Sequence, residues 1–187
     1  MSTGTVTASK KSSVTGILIL ECLNKTDPGS EGRFLSHMFN LMDVRSQYAE
    51  IRTKQQFIAM LGANPYDVVH ITTHGYVPQK EFGGFWTPKG TVRLTDFPPG
   101  ILQGKTAIST ACKSGMQKFS KEFIKLVSPD YYVAPEGSPK FHNAIYFAHW
   151  FYHNWFVLGR SPLEAVEKYR DGYKNPHDFI ILTGSKA

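Results

Sequence analysis

The sequence predicts an α/β fold, a sandwich in which a mostly parallel central sheet carries helices on both faces. Three apolar segments are typical of buried strands and are separated by helical patterns. They are Thr15–Cys22, Asp67–Gly75 and Thr106–Gly115. Strands that alternate with helices usually pair in parallel, so their carboxyl ends meet at one edge of the sheet. Residues that follow these strands are therefore expected to lie together.

Local patterns predict the other elements in chain order. Between the first two strands they indicate a turn at Asp27–Gly29, a helix with Phe34, Met38, Leu41 and Met42 at helical spacing, a strand at Tyr48–Thr53 and a helix at Lys54–Leu61. Further along they indicate a loop or small hairpin at Tyr76–Gly90, a strand at Thr91–Leu94, a helix at Met116–Leu126, a strand at Asp130–Ala134, an aromatic helix at His142–Leu158 that ends at Gly159, a helix capped by Ser161 and a strand at Phe179–Thr183.

Composition narrows the class of protein. The chain has 187 residues, of which 41% are hydrophobic and 19% charged, as in ordinary globular proteins. We expect a flexible N-terminal tail at residues 1–13, followed by a single domain at residues 14–187. The tail lacks the apolar stretch of a secretory signal, and no apolar run is long enough to span a membrane. These features, with only two cysteines, predict a cytoplasmic protein with free thiols and no membrane insertion.

The positive charge does not identify a nucleic-acid-binding protein. The formal net charge is +6, but the basic residues are spread along the chain and form no basic helix. Neither a zinc-finger pattern nor an aromatic RNA-binding motif is visible. His149 and His153 have a spacing that can bind zinc, but no third ligand accompanies them. We therefore expect no nucleic-acid partner, no metal and no cofactor.

Two strand ends carry side chains that can do chemistry. His74 precedes Gly75 at the end of one apolar segment, and Cys112 stands near the end of another. If these strands are neighbours, an imidazole and a thiol meet as a nucleophile and its base require. A helix that begins soon after Cys112 would favour its thiolate. The amides of Gly75 and Cys112 are the candidates for an oxyanion hole.

Each of these residues also has a purely structural explanation. A lone cysteine is most often buried and inert, and this is our interpretation of Cys22. A histidine at a strand end can simply cap a loop, and His70, inside the strand, is expected to be a hydrogen-bonded core residue. The combination of His74 and Cys112, with these flanking residues, favours a catalytic pair.

The motifs resemble those of a known family. His74-Gly75 after VVHITT, and ACKSG after TAIS, are similar to the caspase-like cysteine peptidases of clan CD, closest to the CHAT branch. Phe151–Arg170 resembles the family's paired C-terminal helices, and Asp178–Gly184 resembles its closing strand. Thus the resemblance extends over residues 16–184. The sequence departs from the family after the helix that follows Cys112. There it has SPDYYVAPEGSPKFHN, where the family often has a Gly-Ala-rich strand and a Trp-containing turn.

The resemblance implies a caspase-like fold, a His74–Cys112 dyad, no catalytic metal and endopeptidase activity on a protein substrate. In bacteria such small proteases are often immune or cell-death effectors, some of which cleave gasdermin-like pore formers. The family builds its P1 pocket partly from the loop after the strand that follows the catalytic cysteine. Here that loop carries Glu136, which would favour a basic P1 residue, whereas Lys113 or Lys140 would favour an acidic one.

Two other functions remain open from the sequence. One is a non-catalytic caspase-like module that docks a partner protein, since such a pseudoenzyme would have the same fold. The other is a nucleotide-binding α/β domain, but NKTDPGSEG after the first strand is not a glycine-rich phosphate loop. The sequence also leaves open whether a regulatory partner protein, a ligand or dimerisation switches the activity on.

Overall fold

A computed structural model describes residues 14–173 and 179–184. The predicted tail, residues 1–13, lies outside the described residues. A six-stranded sheet has the order β2-β1-β3-β7-β8-β9, in which all neighbours are parallel except β8 and β9. Its strands are β1 Ile17–Cys22, β2 Ser46–Glu50, β3 Val68–Thr73, β7 Thr106–Ser109, β8 Tyr131–Pro135 and β9 Phe179–Thr183. The predicted mostly parallel α/β sheet is confirmed.

Helices cover both faces of the sheet. They are α1 Glu31–Leu41, α2 Lys54–Gly62, α3 Gln117–Val127, α4 Phe141–Tyr152 and α5 Pro162–Gly172. Alternate strand residues point to opposite faces and form two apolar clusters. Leu18 and Leu20 pack in the cluster that includes side chains of α2 and α3, whereas Ile17 and Ile19 pack in the one that includes side chains of α1, α4 and α5.

A small second sheet lies beside the carboxyl end of β3. Its three antiparallel strands are β4 Gly75–Tyr76, β5 Gly84–Thr87 and β6 Gly90–Val92, in that order. The predicted loop or hairpin is thus a hairpin that continues directly from β3. Since β4 begins immediately after His74, this sheet determines the path of the chain that leaves the central sheet at that histidine.

Two predicted boundaries differ from the structure for physical reasons. The strand predicted at Tyr48–Thr53 ends at Glu50, because Thr53 forms a capping box with Gln56 and starts α2. The aromatic helix changes to a π-helical segment at His153–Val157, and Gly159 with φ 67° follows it. In α5 the predicted capping box of Ser161 and Glu164 is present. None of the helices in the described ranges is long and apolar enough to cross a membrane.

Candidate active site

His74 and Cys112 line the same small cavity at the carboxyl edge of the parallel strands. Thr72, Thr110, Pro139 and Phe141 are among the other residues around it. β3 and β7 are adjacent and parallel, with Ile71 opposite Ser109, so the two segments that leave them start side by side. The two side chains therefore line one cavity, and a direct contact between the imidazole and the thiol stays a prediction. The cavity holds about 30 Å³, which is room for roughly one or two water molecules.

The His74 ring is held by a carboxylate and two aromatic side chains. Its Nε2 lies 2.9 Å from Oδ1 of Asp27. The rings of Trp86 and Phe141 approach it edge-on, at centroid distances of 5.7 and 5.6 Å. The His74 side chain is 40% exposed, and Asp27 is 14% exposed. The imidazole is thus oriented by protein groups yet open to solvent.

Asp27 is the site residue that the sequence analysis missed. It appears there only as a turn residue, but its Oδ2 accepts a hydrogen bond of 2.6 Å from the amide of Asn24, which fixes the carboxylate within its own loop. After β1 the chain passes through this loop and α1 to β2, which pairs with one edge of β1. β3 then pairs with the opposite edge, so the strand order reverses at β1. Ligands of open α/β sheets bind at such switch points. An acidic residue in the loop after the first strand is the signal that would have pointed to Asp27.

Cys112 lies in a hydrogen-bonded turn between β7 and α3. β7 ends at Ser109, so the segment predicted as one apolar strand leaves the sheet three residues before the cysteine. The Ser109 and Ser114 hydroxyls are 2.9 Å apart, and that of Ser114 donates to the Ala111 carbonyl at 2.8 Å. Tyr132 of β8 donates to the Ser114 carbonyl at 3.0 Å. These buried contacts make the backbone around Cys112 a defined structure.

The turn is also tied to the end of β8. Lys113 has φ 63°, a left-handed conformation that is uncommon outside glycine and concentrates at functional sites. Its amide donates to the Gly137 carbonyl at 2.7 Å, and the amide of Gly115 donates to the Pro135 carbonyl at 2.8 Å. A Cβ on Gly115 would lie within 3.0 Å of backbone atoms of Ala134 and Pro135. The small residue is required by this close approach.

Gly75 brings the two motifs into backbone contact. A Cβ built on Gly75 would overlap the carbonyl oxygen of Cys112 and press on the ring of Phe82. Only a residue without a side chain therefore fits at the first position of β4, next to His74. Gly75 and Cys112, whose amides are the candidates for an oxyanion hole, therefore lie in contact. The role of these amides stays a prediction.

The environment of Cys112 differs from that of Cys22. The Cys112 thiol is partly exposed, with Sγ 4.0 Å from the Pro139 carbonyl oxygen. It stands five positions before α3, so activation by the N-terminus of that helix stays a prediction. Cys22 is buried, and desolvation raises the pKa of its thiol to about 12, with a smaller opposing effect from a hydrogen bond with Thr73. Cys22 is therefore placed as an inert core residue.

The structure does not bring every candidate residue to the cavity. Glu136 is exposed in the bend after β8 and does not line the cavity that His74 and Cys112 share. His149 and His153 have ring centroids 6.4 Å apart on and after α4, and no group of three metal-binding side chains occurs in the described ranges. Comparison with protein-family models and with curated proteins found no match to this chain. No relative therefore indicates a function for this chain, and only the geometry of the site bears on it.

Proposed function

We propose that this protein is a cysteine endopeptidase with a caspase-like fold, in which Cys112 is the nucleophile and His74 the general base. The observation that carries the proposal is that His74 and Cys112 line one cavity, with Asp27 hydrogen-bonded to Nε2 of the imidazole. A nucleophile, a base and a group that orients the base are the three parts of an activated nucleophile. The mostly parallel sheet with helices on both faces supports the caspase-like assignment.

The reaction follows from the hydrogen bonds of His74. Because its Nε2 faces Asp27, Nδ1 is the nitrogen left to accept the thiol proton. The Cys112 thiolate then attacks the scissile carbonyl carbon, and the carbonyl oxygen gains the negative charge that the amides of Gly75 and Cys112 would stabilise. The His74 imidazolium gives its proton to the leaving amine, and the imidazole later takes a proton from the water that hydrolyses the thioester.

The size of the cavity favours a second candidate function, a non-catalytic module that docks a partner protein. A volume of about 30 Å³ cannot hold a peptide group with its flanking side chains. Peptide cleavage at Cys112 therefore requires the cavity to widen, with movement of residues such as Pro139 and Phe141 that line it together with Cys112. A docking module requires no such opening.

The proposed substrate is a specific partner protein in the cytoplasm, with a pore-forming effector as the substrate class that the family resemblance favours. An immune or cell-death role and control by a regulatory partner come from the same resemblance, which is an argument by analogy. Glu136 as a determinant of a basic P1 residue belongs to this part of the proposal. No nucleic acid or cofactor enters the mechanism.

The decisive experiment is digestion of a proteome-derived peptide library, with new N-termini identified by mass spectrometry. The wild-type protein should generate new termini that share a P1 residue, and Cys112→Ala should generate none. Cys22→Ala is the matched control and should keep the activity, since that thiol is buried away from the cavity. The same set of termini from Cys112→Ala would refute a Cys112 peptidase. The absence of new termini from the wild-type protein, with partner capture intact, would favour the docking module.

A further inference from the structure

A second carboxylate lies beneath the site, and the mechanism above does not use it. Glu31, the first residue of α1, is 2% exposed and lines the cavity with His74 and Cys112. Its Oε2 accepts hydrogen bonds from Thr72 Oγ1 at 2.7 Å and from Thr110 Oγ1 at 3.0 Å. One oxygen atom thus joins a side chain of β3 to the side chain that directly follows β7.

The two threonines that Glu31 joins each stand close to one residue of the proposed catalytic pair. Thr72 stands two residues before His74, and Thr110 stands two residues before Cys112. The amide of Thr110 already bonds to the Ile71 carbonyl at 3.0 Å, so the backbone holds the strands together up to this point. Beyond it the chain continues as β4 on one side and as the cysteine turn on the other, where Gly75 approaches the carbonyl of Cys112. The Glu31 bridge therefore joins the two segments directly after the last paired residues of β3 and β7.

The other oxygen of Glu31 anchors the carboxylate. His70 Nε2 lies 3.0 Å from Oε1, and His70 Nδ1 lies 2.8 Å from the Tyr152 hydroxyl. Burial, and secondarily the charge of Glu31, raises the pKa of Tyr152 well above its usual value, so its hydroxyl keeps the proton that it can donate to Nδ1. The Nε2 proton of His70 then points to Glu31. Three donors surround the Glu31 carboxyl group, so this buried polar group has its hydrogen-bond partners within the protein.

Glu21 fixes the start of α1, next to the loop that holds Asp27. The Asp27 and Glu31 carboxylates are four residues apart. Ser30 between them caps α1 by accepting from the amide of Arg33. The Ser30 hydroxyl donates to Glu21 at 2.7 Å, and the amide of Gly32 donates to the same carboxylate at 2.6 Å. The start of α1 is consequently anchored on both sides of Glu31.

We propose that Glu31 is the positioning residue of the site, which aligns His74 with Cys112 by bridging Thr72 and Thr110. This inference rests on the proposed function only for the purpose of the alignment, which is catalysis. The alignment itself can be measured without a substrate, because the rate of alkylation of Cys112 depends on how the imidazole and the thiol are placed. A misplacement of about 1 Å can reduce the rate of a reaction that depends on such geometry about 100-fold.

The test uses matched threonine variants and iodoacetamide at pH 7, with labelling of Cys112 and Cys22 quantified by peptide mass spectrometry. Thr72→Val and Thr110→Val keep the shape of the side chain and remove the hydroxyl, and each should slow labelling of Cys112 about 10- to 100-fold. Thr72→Ser and Thr110→Ser keep the hydroxyl and should restore the rate. Thr106→Val, at the buried opposite end of β7, controls for the substitution itself and should leave the rate unchanged.

The double variant separates a bridge from two independent contacts. If one carboxylate oxygen joins both hydroxyls, removing the second costs little once the first is gone, so Thr72→Val with Thr110→Val should label about as slowly as either single variant. Additive losses, or valine variants that label at the wild-type rate, would overturn the proposal. An equal loss in Thr106→Val would do the same, because it would show a general effect of packing.

A variant that does not fold is recognised by circular dichroism and by fast labelling of Cys22. In that case Thr72→Ala and Thr110→Ala decide, since they remove the hydroxyl without adding a methyl group, and each should slow labelling of Cys112 relative to its serine variant. The outcomes also separate the two proposals. Slow labelling in the valine variants of a protein that cleaves no peptide refutes the peptidase and keeps the positioning role. Unchanged labelling in an active peptidase refutes the positioning role alone.

Discussion

Strand β3 and the residue that follows it carry two histidines four positions apart, each paired with a carboxylate, and the two pairs differ mainly in their exposure to water. In the pair at the end of the strand, His74 is 40% exposed and Asp27 is 14% exposed. In the pair within the strand, His70 is fully buried and Glu31 is 2% exposed. The nitrogen-to-oxygen distances are almost the same, 2.9 and 3.0 Å. Hydrogen-bond geometry alone therefore does not distinguish a reactive pair from a structural one.

The difference lies in what the second ring nitrogen faces. His70 Nδ1 is occupied by the Tyr152 hydroxyl, so both of its nitrogens are used inside the protein. His74 uses only Nε2 for Asp27 among the hydrogen bonds of the described residues, and its ring lines the cavity of Cys112. A base needs a free nitrogen within reach of the proton that it moves. Of the two pairs, only the one at the sheet edge leaves a ring nitrogen available to act as a base.

The largest expected effect comes from removal of the base at the sheet edge. His74→Ala should reduce kcat/KM for the best library peptide about 10⁴-fold or more, and the double variant with Cys112→Ala should be no worse than Cys112→Ala alone. The two residues act as one unit, so their effects should not add. His74→Ala that retains a tenth of the wild-type kcat/KM would contradict its role as the base.

A smaller loss should follow from Asp27→Asn, which keeps the shape of the side chain but removes its charge. The corresponding change in a buried triad costs about 10⁴-fold in kcat. Here His74 and Asp27 are partly solvated, so we expect about 10²-fold with an unchanged melting temperature. Asp171→Asn is the control, since Asp171 forms an exposed ion pair with Lys168 on α5. Equal kcat for the Asp27→Asn and Asp171→Asn proteins would remove Asp27 from the mechanism.

Loss of the Tyr152 hydroxyl should affect stability rather than activity, because Glu31 keeps its hydrogen bonds to Thr72 and Thr110. Tyr152→Phe removes the hydroxyl that serves His70 Nδ1 and leaves that buried nitrogen without a partner, at a cost of about 1–3 kcal/mol. For a chain of this size, that lowers the melting temperature by about 2–4 °C per kcal/mol. Thermal unfolding followed by circular dichroism measures it. A fall in kcat as large as that of Asp27→Asn, without a change in stability, would contradict this prediction. It would show that the Tyr152 hydroxyl contributes to catalysis and not to stability.

The smallest expected effect concerns P1 preference. Glu136→Lys should reduce cleavage after arginine by no more than about fivefold, because an exposed ion pair contributes only about 0–1 kcal/mol. Competition between arginine and aspartate P1 peptides for the wild-type and variant proteins measures the change. An unchanged ratio would exclude Glu136 from substrate selection, and a change of more than about 100-fold would mean that it becomes buried when substrate binds.

Local patterns were sufficient for most of the elements. The strand at Phe179–Thr183 has the predicted bounds, and α3 at Gln117–Val127 lies one residue from its predicted position. Apolar runs, capping residues and glycine stops act over a few neighbouring residues, which is why one sequence reveals them. The end of β7 at Ser109 was not predictable in the same way, because contacts with Ser114 and Tyr132 from outside the strand form the cysteine turn.

By itself the sequence determined the α/β class and the placement of His74 and Cys112 at one edge, because parallel strands of known polarity bring their carboxyl ends together. It did not determine which carboxylate serves which histidine. Asp27 and Glu31 are 47 and 39 residues away from their partners His74 and His70, and only the packing of the loop after β1 and of α1 over β3 selects them. Exposure, which distinguishes the two pairs, is a property of the folded surface, so only the tertiary structure decided it.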